Sequence, residues 1–367
     1  MTDFLRKNSE EVLASLRELY GRSGYSRYKM NKFEEYDLYA GNKDFLISDS
    51  VITFTDGNGK LLALKPDVTL SIVKNSKAGR DGVEKLYYNE NVYRVTKGSR
   101  NYKEIMQVGL ECIGDVDGYC IYEVLKLALE SLGEISGECV LGVSHLGILS
   151  EVIDSLGIPA DARDDVLKCV GEKNLHELSS ILGGLGVAEE KANVLKELVR
   201  VNGGTAEVLG TIGGLLGGVV SEKTLADFTS VMASLAGEKS LKIDFSVVSD
   251  MRYYNGFVFK GYVREVPQSV LSGGQYDRLM KKMGKTASAI GFAVYLDLID
   301  QYSRSGETYD VDTVLLYGEN STPSEIGAAA DELRGNGDSV LAAKAIPDGL
   351  RYKKLVKFEN GRVGENG

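Results

Sequence analysis

A helical block set between β-rich blocks is the feature that most limits how this chain can fold. From Ile148 to Leu235 there is a single proline, and Leu, Ala and Glu recur at helical spacing, interrupted by glycine pairs. On both sides the pattern changes to runs of β-branched and aromatic residues. Ser50–Thr55 and Lys60–Leu64 are two such runs, and Asp56-Gly-Asn-Gly59 between them is turn chemistry, so they read as a hairpin. Pro66 closes the second run, and helix follows it. Lys85–Arg94 and Tyr102–Gly114 form two longer strands across the charged, glycine-containing loop Val95–Asn101. Glu138–Val143 reads as a short strand, strand character returns at Leu241–Val248 and Phe257–Val263, and Ile290 starts an apolar run. The helical stretch therefore reads as an insertion into a strand-rich domain.

Helices flank these strands. Asn8–Tyr20 places Val12, Leu13, Leu16, Leu19 and Tyr20 on one stripe, and Tyr119–Leu132 is amphipathic. Near the end, Thr313–Tyr317 reads as strand and Ser324–Arg334 as helix, a small α/β unit. The polar, glycine-rich tail Glu359–Gly367 is expected to be loose.

Composition narrows the functional classes. The 367 residues suggest two or three domains at about 150 residues each. A 43% hydrophobic and 26% charged chain can bury a core, which excludes global disorder. The net charge of −10 argues against a surface built to grip nucleic acid. The apolar stretch Val208–Val220 is too short for a bilayer core, which takes about 20 residues. The opening MTDFLRKNSEE lacks the apolar run of a signal peptide. Four cysteines show no CxxC pair, so a reduced, cytoplasmic chain is expected. With only His145 and His176, a multi-histidine metal site is impossible, and His176 reads as a solvated helix residue. Gly284-Lys-Thr286 fails as a P-loop because Leu279 stands where glycine is needed, and Asp115-Val-Asp-Gly118 lacks the other ligands of a calcium loop. Neither metal nor cofactor is expected.

A set of polar residues on or beside the strands is more informative. Lys65-Pro-Asp-Val-Thr69 places Asp67 and Thr69 directly after a strand, and Asn91-Val-Tyr-Arg94 ends the next one with an arginine. Gln107 and Glu111, four apart on a strand, point to the same face. Tyr253-Tyr254-Asn-Gly256, Ser272-Gly-Gly-Gln-Tyr-Asp277 and Ala289-Ile-Gly-Phe-Ala293 follow. Each position alone is an ordinary polar residue of a sheet. Together the groups suit a small zwitterion, with carboxylates for its ammonium and an arginine for its carboxylate or a phosphate.

The order of these elements resembles that of histidyl-tRNA synthetase and its non-catalytic relative, the regulatory subunit of ATP phosphoribosyltransferase, over roughly residues 10–300. The arginine–proline–acid–x–threonine element is here Lys65-Pro-Asp-Val-Thr69. The second synthetase motif is Asn91-Val-Tyr-Arg94 followed by Gln107–Gly114, the tyrosine pair is Tyr253-Tyr254-Asn-Gly256, and Gly-Gly-Arg-Tyr-Asp is Gly273-Gly-Gln-Tyr-Asp277. The third motif begins Ala289-Ile-Gly-Phe-Ala293. Three departures stand out. Thr96 replaces the glutamate of arginine–x–glutamate, Leu298 replaces the ATP-binding arginine, and Ser249 replaces the catalytic arginine of the tyrosine-pair element, where Arg252 also stands at an acidic position. Losing one group that stabilises developing charge costs about a hundredfold or more.

The resemblance implies an α+β fold of the class II aminoacyl-tRNA synthetase type, an antiparallel sheet flanked by helices. It implies a domain over residues 1–305 with a helical insertion at about 150–235, then a shortened α/β unit over 306–367 where synthetases carry an anticodon-binding domain. By the same resemblance Asp67, Thr69, Arg94, Gln107, Glu111, Tyr253 and Tyr254 form a vestigial histidine pocket. The implied role is regulatory: association with a short-form catalytic ATP phosphoribosyltransferase subunit in histidine biosynthesis, with histidine as effector and a homodimer inside a hetero-oligomer. The alternatives are an active histidyl-tRNA synthetase and a free-standing paralogue acting on another amino acid or protein.

Overall fold

In a computed structural model, the chain is described over residues 9–42, 46, 51–77, 82–95, 101–248, 253–264, 266–302, 309–359 and 362–365. It divides into two compact units, Met1–Ser303 and Arg304–Gly367. The first begins with α1 (Ser9–Arg22), β1 (Ser26–Arg27), β2 (Phe33–Glu35), α2 (Tyr36–Ala40), β3 (Thr53–Thr55), β4 (Leu61–Leu64) and α3 (Thr69–Asn75). The long strands β5 (Val83–Val95) and β6 (Tyr102–Gly114) follow, then α4 (Gly118–Ile135), β7 (Cys139–His145) and α5 (Leu146–Ser155). Helices α6 (Arg163–Gly171), α7 (Leu175–Gly184) and α8 (Glu189–Arg200), strand β8 (Asn202–Gly203), and helices α9 (Thr205–Leu216) and α10 (Glu222–Ser234) complete the insertion. The unit closes with β9 (Leu241–Asp244), β10 (Phe257–Val263), β11 (Leu271–Gln275), α11 (Asp277–Lys282), β12 (Ser288–Tyr295) and α12 (Leu296–Tyr302).

Nine strands form the main sheet in the order β1-β5-β6-β12-β11-β10-β7-β9-β8. From β5 to β7 every neighbour is antiparallel, as expected. The short strand β1 runs parallel to β5, and β9 runs parallel to β7. The sheet is therefore mixed. A parallel partner needs a long crossover, and the insertion supplies it for β9.

The alternation of side chains along each strand assigns the two faces. Val108, Leu110 and Cys112 of β6 and Ile290, Phe292 and Val294 of β12 enter the core formed with α1 and α4. The stripe of α1 is spent there: Leu16 and Tyr20 are fully buried in their own unit, and the Tyr20 and Ser131 hydroxyls are 2.9 Å apart. The insertion helices extend this core through Val152, Leu195 and Phe228, while His176 is exposed on α7 as expected. On the opposite face, Leu86, Tyr88, Val92, Ile113 and Ala289 meet α3 and the small sheet β2-β4-β3, which contains the expected hairpin.

Two details differ from the sequence reading. The strand expected over Leu241–Val248 ends at Asp244, because Asp244 Oδ1 accepts from the Ser246 backbone N–H at 2.9 Å and its hydroxyl at 2.6 Å, which turns the chain. The tail is also more ordered than expected. The second unit holds β13 (Val311–Tyr317), α13 (Pro323–Gly335), β14 (Val340–Ala343), β15 (Tyr352–Glu359) and β16 (Arg362–Glu365), in the sheet order β14-β13-β15-β16. Strand β16 lies in the supposedly loose tail and pairs antiparallel with β15. An edge strand is held by backbone hydrogen bonds, so polar and glycine residues suffice. The helix starts with Thr322 and Glu325 in a capping box and Pro323 in its first turn.

In the main sheet Gly291 of β12 lies directly opposite Glu111 of β6. A Cβ at Gly291 would stand 1.8 Å from Glu111 Oε2 and 2.4 Å from the Leu110 carbonyl oxygen. Gly291→Ala should therefore lower stability in urea unfolding by about 1–3 kcal/mol. Gly133→Ala on α4, where a Cβ meets nothing within 4 Å, should leave stability unchanged or raise it by about 0.5–1 kcal/mol.

Candidate ligand-binding site

The face of the sheet turned away from α1 and α4 carries a cavity of about 430 Å³, floored by β5, β6, β12, β11 and β10 and bordered by the segment joining β4 to α3. The seven residues singled out in the sequence, Asp67, Thr69, Arg94, Gln107, Glu111, Tyr253 and Tyr254, all line it. They come from four separate stretches of chain. Strand pairing brings them together.

Glu111 lies deepest, with 2% of its surface exposed. Thr69 Oγ1 donates to its Oε1 at 2.9 Å, and the Tyr276 hydroxyl donates to its Oε2 at 2.6 Å. Burial pushes its carboxyl up to about 8. The Tyr276 and Thr69 hydrogen bonds oppose that rise, and the nearby Asp67 charge reinforces it. Gln107 is buried on the same strand face, and Gly109 between them leaves room for the Tyr88 ring, whose hydroxyl would be 2.7 Å from a Cβ there.

The segment carrying Asp67 is tied down from below. Lys65, 1% exposed, forms an ion pair with Glu90 of β5, and Glu90 also accepts from the Met30 N–H at 3.3 Å. Asp67 Oδ1 accepts from the Leu70 N–H at 2.9 Å, one of the donors left free at the start of α3. Burial raises the Asp67 carboxyl above its ordinary value, while the Leu70 N–H, the Arg94 charge and the Thr69 N–H act against the rise. Arg94 Nε donates to the Pro66 carbonyl at 3.1 Å, which holds the guanidinium at the cavity wall.

Aromatic rings close the other side. Tyr253 and Tyr254 meet edge to face with centroids 4.5 Å apart, and Tyr276 lies 5.9 Å from Tyr253. Burial holds the phenols of Tyr88, Tyr253, Tyr254 and Tyr276 well above their usual range, so they act as neutral hydrogen-bonding groups. Asp277 organises the turn beneath, accepting from Asn255 Nδ2 at 3.1 Å and the Ala289 N–H at 2.9 Å.

Sequence reasoning missed Tyr88, Lys260 and Tyr295, which also line the cavity, as do Ser272 and Tyr276 of the quoted Ser272–Asp277 element, neither of which it singled out as a site residue. Tyr276 stood inside the quoted Gly273–Asp277 element, and Ser272 and Lys260 are direct cross-strand partners on β11 and β10. Leu298, at the place of the synthetase arginine, sits on α12 and packs against the helix-side core. Thr96, Ser249 and Arg252 lie outside the described residues.

The buried acid has a consequence for stability. An unfolded glutamate ionises near pH 4.5, whereas Glu111 in the fold stays protonated to about pH 8. Between those values the folded state binds more protons than the unfolded one, so this group makes stability fall as pH rises, by at most about 1.4 kcal/mol per pH unit. Denaturant unfolding from pH 5 to 8 should show this decline in the wild type and a flatter profile in Glu111→Gln.

Comparison with known proteins identifies the fold and the family. A family model described as histidyl-tRNA synthetase matches residues 5–299. The ATP phosphoribosyltransferase regulatory subunit of Clostridium kluyveri is 30% identical over 346 residues, covering 90% of this chain and 88% of that protein. A solved ATP phosphoribosyltransferase regulatory subunit/histidyl-tRNA synthetase from Bacillus halodurans has a TM-score of 0.75 at 24% identity and covers 97% of both chains. A chain of the ATP phosphoribosyl transferase (HisG:HisZ) complex from Thermotoga maritima has a TM-score of 0.61 at 21% identity, covering 80% of this chain and 98% of that one. At these identities the solved structures establish the fold, and the matches along the sequence establish the kinship. The chain belongs to the histidyl-tRNA synthetase-like family, in its branch of ATP phosphoribosyltransferase regulatory subunits.

Proposed function

We propose that this chain is the non-catalytic regulatory subunit of a short-form ATP phosphoribosyltransferase and that histidine, bound in the cavity, is its effector. The observation that carries the reading is the convergence of seven residues suited to an amino acid on one cavity while Leu298, at the place of an ATP-holding arginine, is half-buried against the helix-side core. Asp67 and Glu111 accept from the ammonium, with Thr69 and Gln107 completing its hydrogen bonds. Tyr253 and Tyr254 wall the imidazole, and Arg94 meets the carboxylate. Ser249 and Thr96 remove two further groups with which synthetases hold and activate ATP. A pocket that binds histidine differently in two assembly states changes the partner's activity by that difference in affinity. In this role the chain works in the cytoplasm as a homodimer inside a hetero-oligomer with the catalytic subunit.

Three outcomes test the reading. Co-expressed short-form catalytic subunit should co-purify with this chain. Calorimetry on that complex should show histidine binding between micromolar and low-millimolar affinity, and Glu111→Ala or Gln107→Ala should abolish it. No heat from the wild-type complex would remove histidine from the account. Histidine-dependent ATP–pyrophosphate exchange should be undetectable, and turnover of roughly 1 per second or faster would instead make the chain a histidyl-tRNA synthetase.

A further inference from the structure

Beyond β10 the same open face of the main sheet carries a second cavity, of about 350 Å³, over β7 and β9. Its floor follows from strand register. Gly142 of β7 pairs with Lys260 of β10 on one side and Lys242 of β9 on the other, so two lysines flank a residue with no side chain, over which the Val247 side chain packs, its Cγ2 3.1 Å from where a Gly142 Cβ would stand. With strands about 4.8 Å apart, the two lysine backbones stand about 10 Å apart, within reach of one small anion for two long, flexible side chains. Asn202 and Tyr262 add an amide and a phenol to the lining.

The charge of this cavity is uncompensated. Its one carboxylate, Asp244, is already engaged: Oδ2 accepts from Lys173 Nζ at 2.9 Å, and Oδ1 accepts twice from Ser246. Neither Lys242 nor Lys260 has an ion-pair partner among the described residues, in a chain whose net charge is −10. Both are half-buried on the sheet.

We propose that this second cavity is a binding site for a small phosphate-bearing anion, held between Lys242 and Lys260 with Asn202 and Tyr262 as further donors. A doubly charged tetrahedral group matches two ammoniums and offers enough acceptor oxygens for all four residues, whereas a single carboxylate leaves one ammonium uncompensated. Lys260 also lines the first cavity, so it is the shared wall through which occupancy of one site is felt in the other. The site stands on its own residues, whether or not the first cavity takes histidine.

Calorimetry and thermal unfolding of the full chain at constant ionic strength provide the test, with inorganic pyrophosphate and orthophosphate as probes and acetate as the single-carboxylate control. One saturable site for a phosphate probe is expected, weakened at least about tenfold by Lys242→Ala or Lys260→Ala and retained by Lys242→Arg. The retained charge in Lys242→Arg separates loss of the site from loss of the fold. Equal binding by the Lys242→Ala/Lys260→Ala double variant, acetate binding as tight as pyrophosphate, or no saturable binding by the wild type would each overturn the proposal. Histidine titration of Lys242→Ala without phosphate should match the wild type, so failure of this site is distinguishable from failure of the first.

Discussion

A carboxyl group buried in the middle of a sheet is costly unless its neighbours leave room for it and satisfy it, and Glu111 meets both conditions. Room comes from Gly291, directly opposite on β12. Satisfaction comes from two hydroxyls reached from distant parts of the chain, Thr69 at the start of α3 and Tyr276 after β11. A one-residue slip of β6 would turn Glu111 into the helix-side core and bring an apolar side chain into the cavity. The register of β6 against β5 and β12 is therefore the constraint on which the site depends.

Much of the surrounding structure holds that register and the segment above it. The thirteen-residue strands β5 and β6 pair along their whole length. Behind the cavity, the ion pair of buried Lys65 with half-buried Glu90 anchors the approach to Asp67, and removing Glu90 would strand a buried ammonium. Under the tyrosines, Asp277 ties Asn255 to the start of β12. The groups suited to an amino acid are held rigidly, whereas Leu298 has joined the hydrophobic packing of α12.

The parts of this architecture legible in the sequence were those with local signatures. The Asp56–Gly59 turn announced the small hairpin, and apolar stripes announced α1 and α4. The spacing of Gln107 and Glu111 placed both on one strand face, and the order of the motif elements picked out seven residues that line one cavity. What the sequence hid is non-local or carried by backbone. Tyr276 reaches Glu111 across 165 positions, and nothing near either residue announces the contact. Lys260 emerged as a lining residue only once β10 was paired with β11, where it lies opposite Ser272. Strand β16 was hidden because edge pairing makes no demand on side-chain hydropathy, and β9 stopped early because an aspartate side chain captured the backbone two residues on.

The central claim is that Glu111 receives the ammonium of a bound amino acid, and the proton it holds makes that claim directly measurable. At pH 7 the empty site keeps this carboxyl mostly protonated, since burial raises it to about 8. An ammonium placed against it favours the ionised form, so binding must expel the proton. Histidine titrations of the complex at pH 7, in buffers of different ionisation enthalpy, count the protons released. The account predicts nearly one proton per site in the wild type; binding by the wild type with no proton released would contradict it.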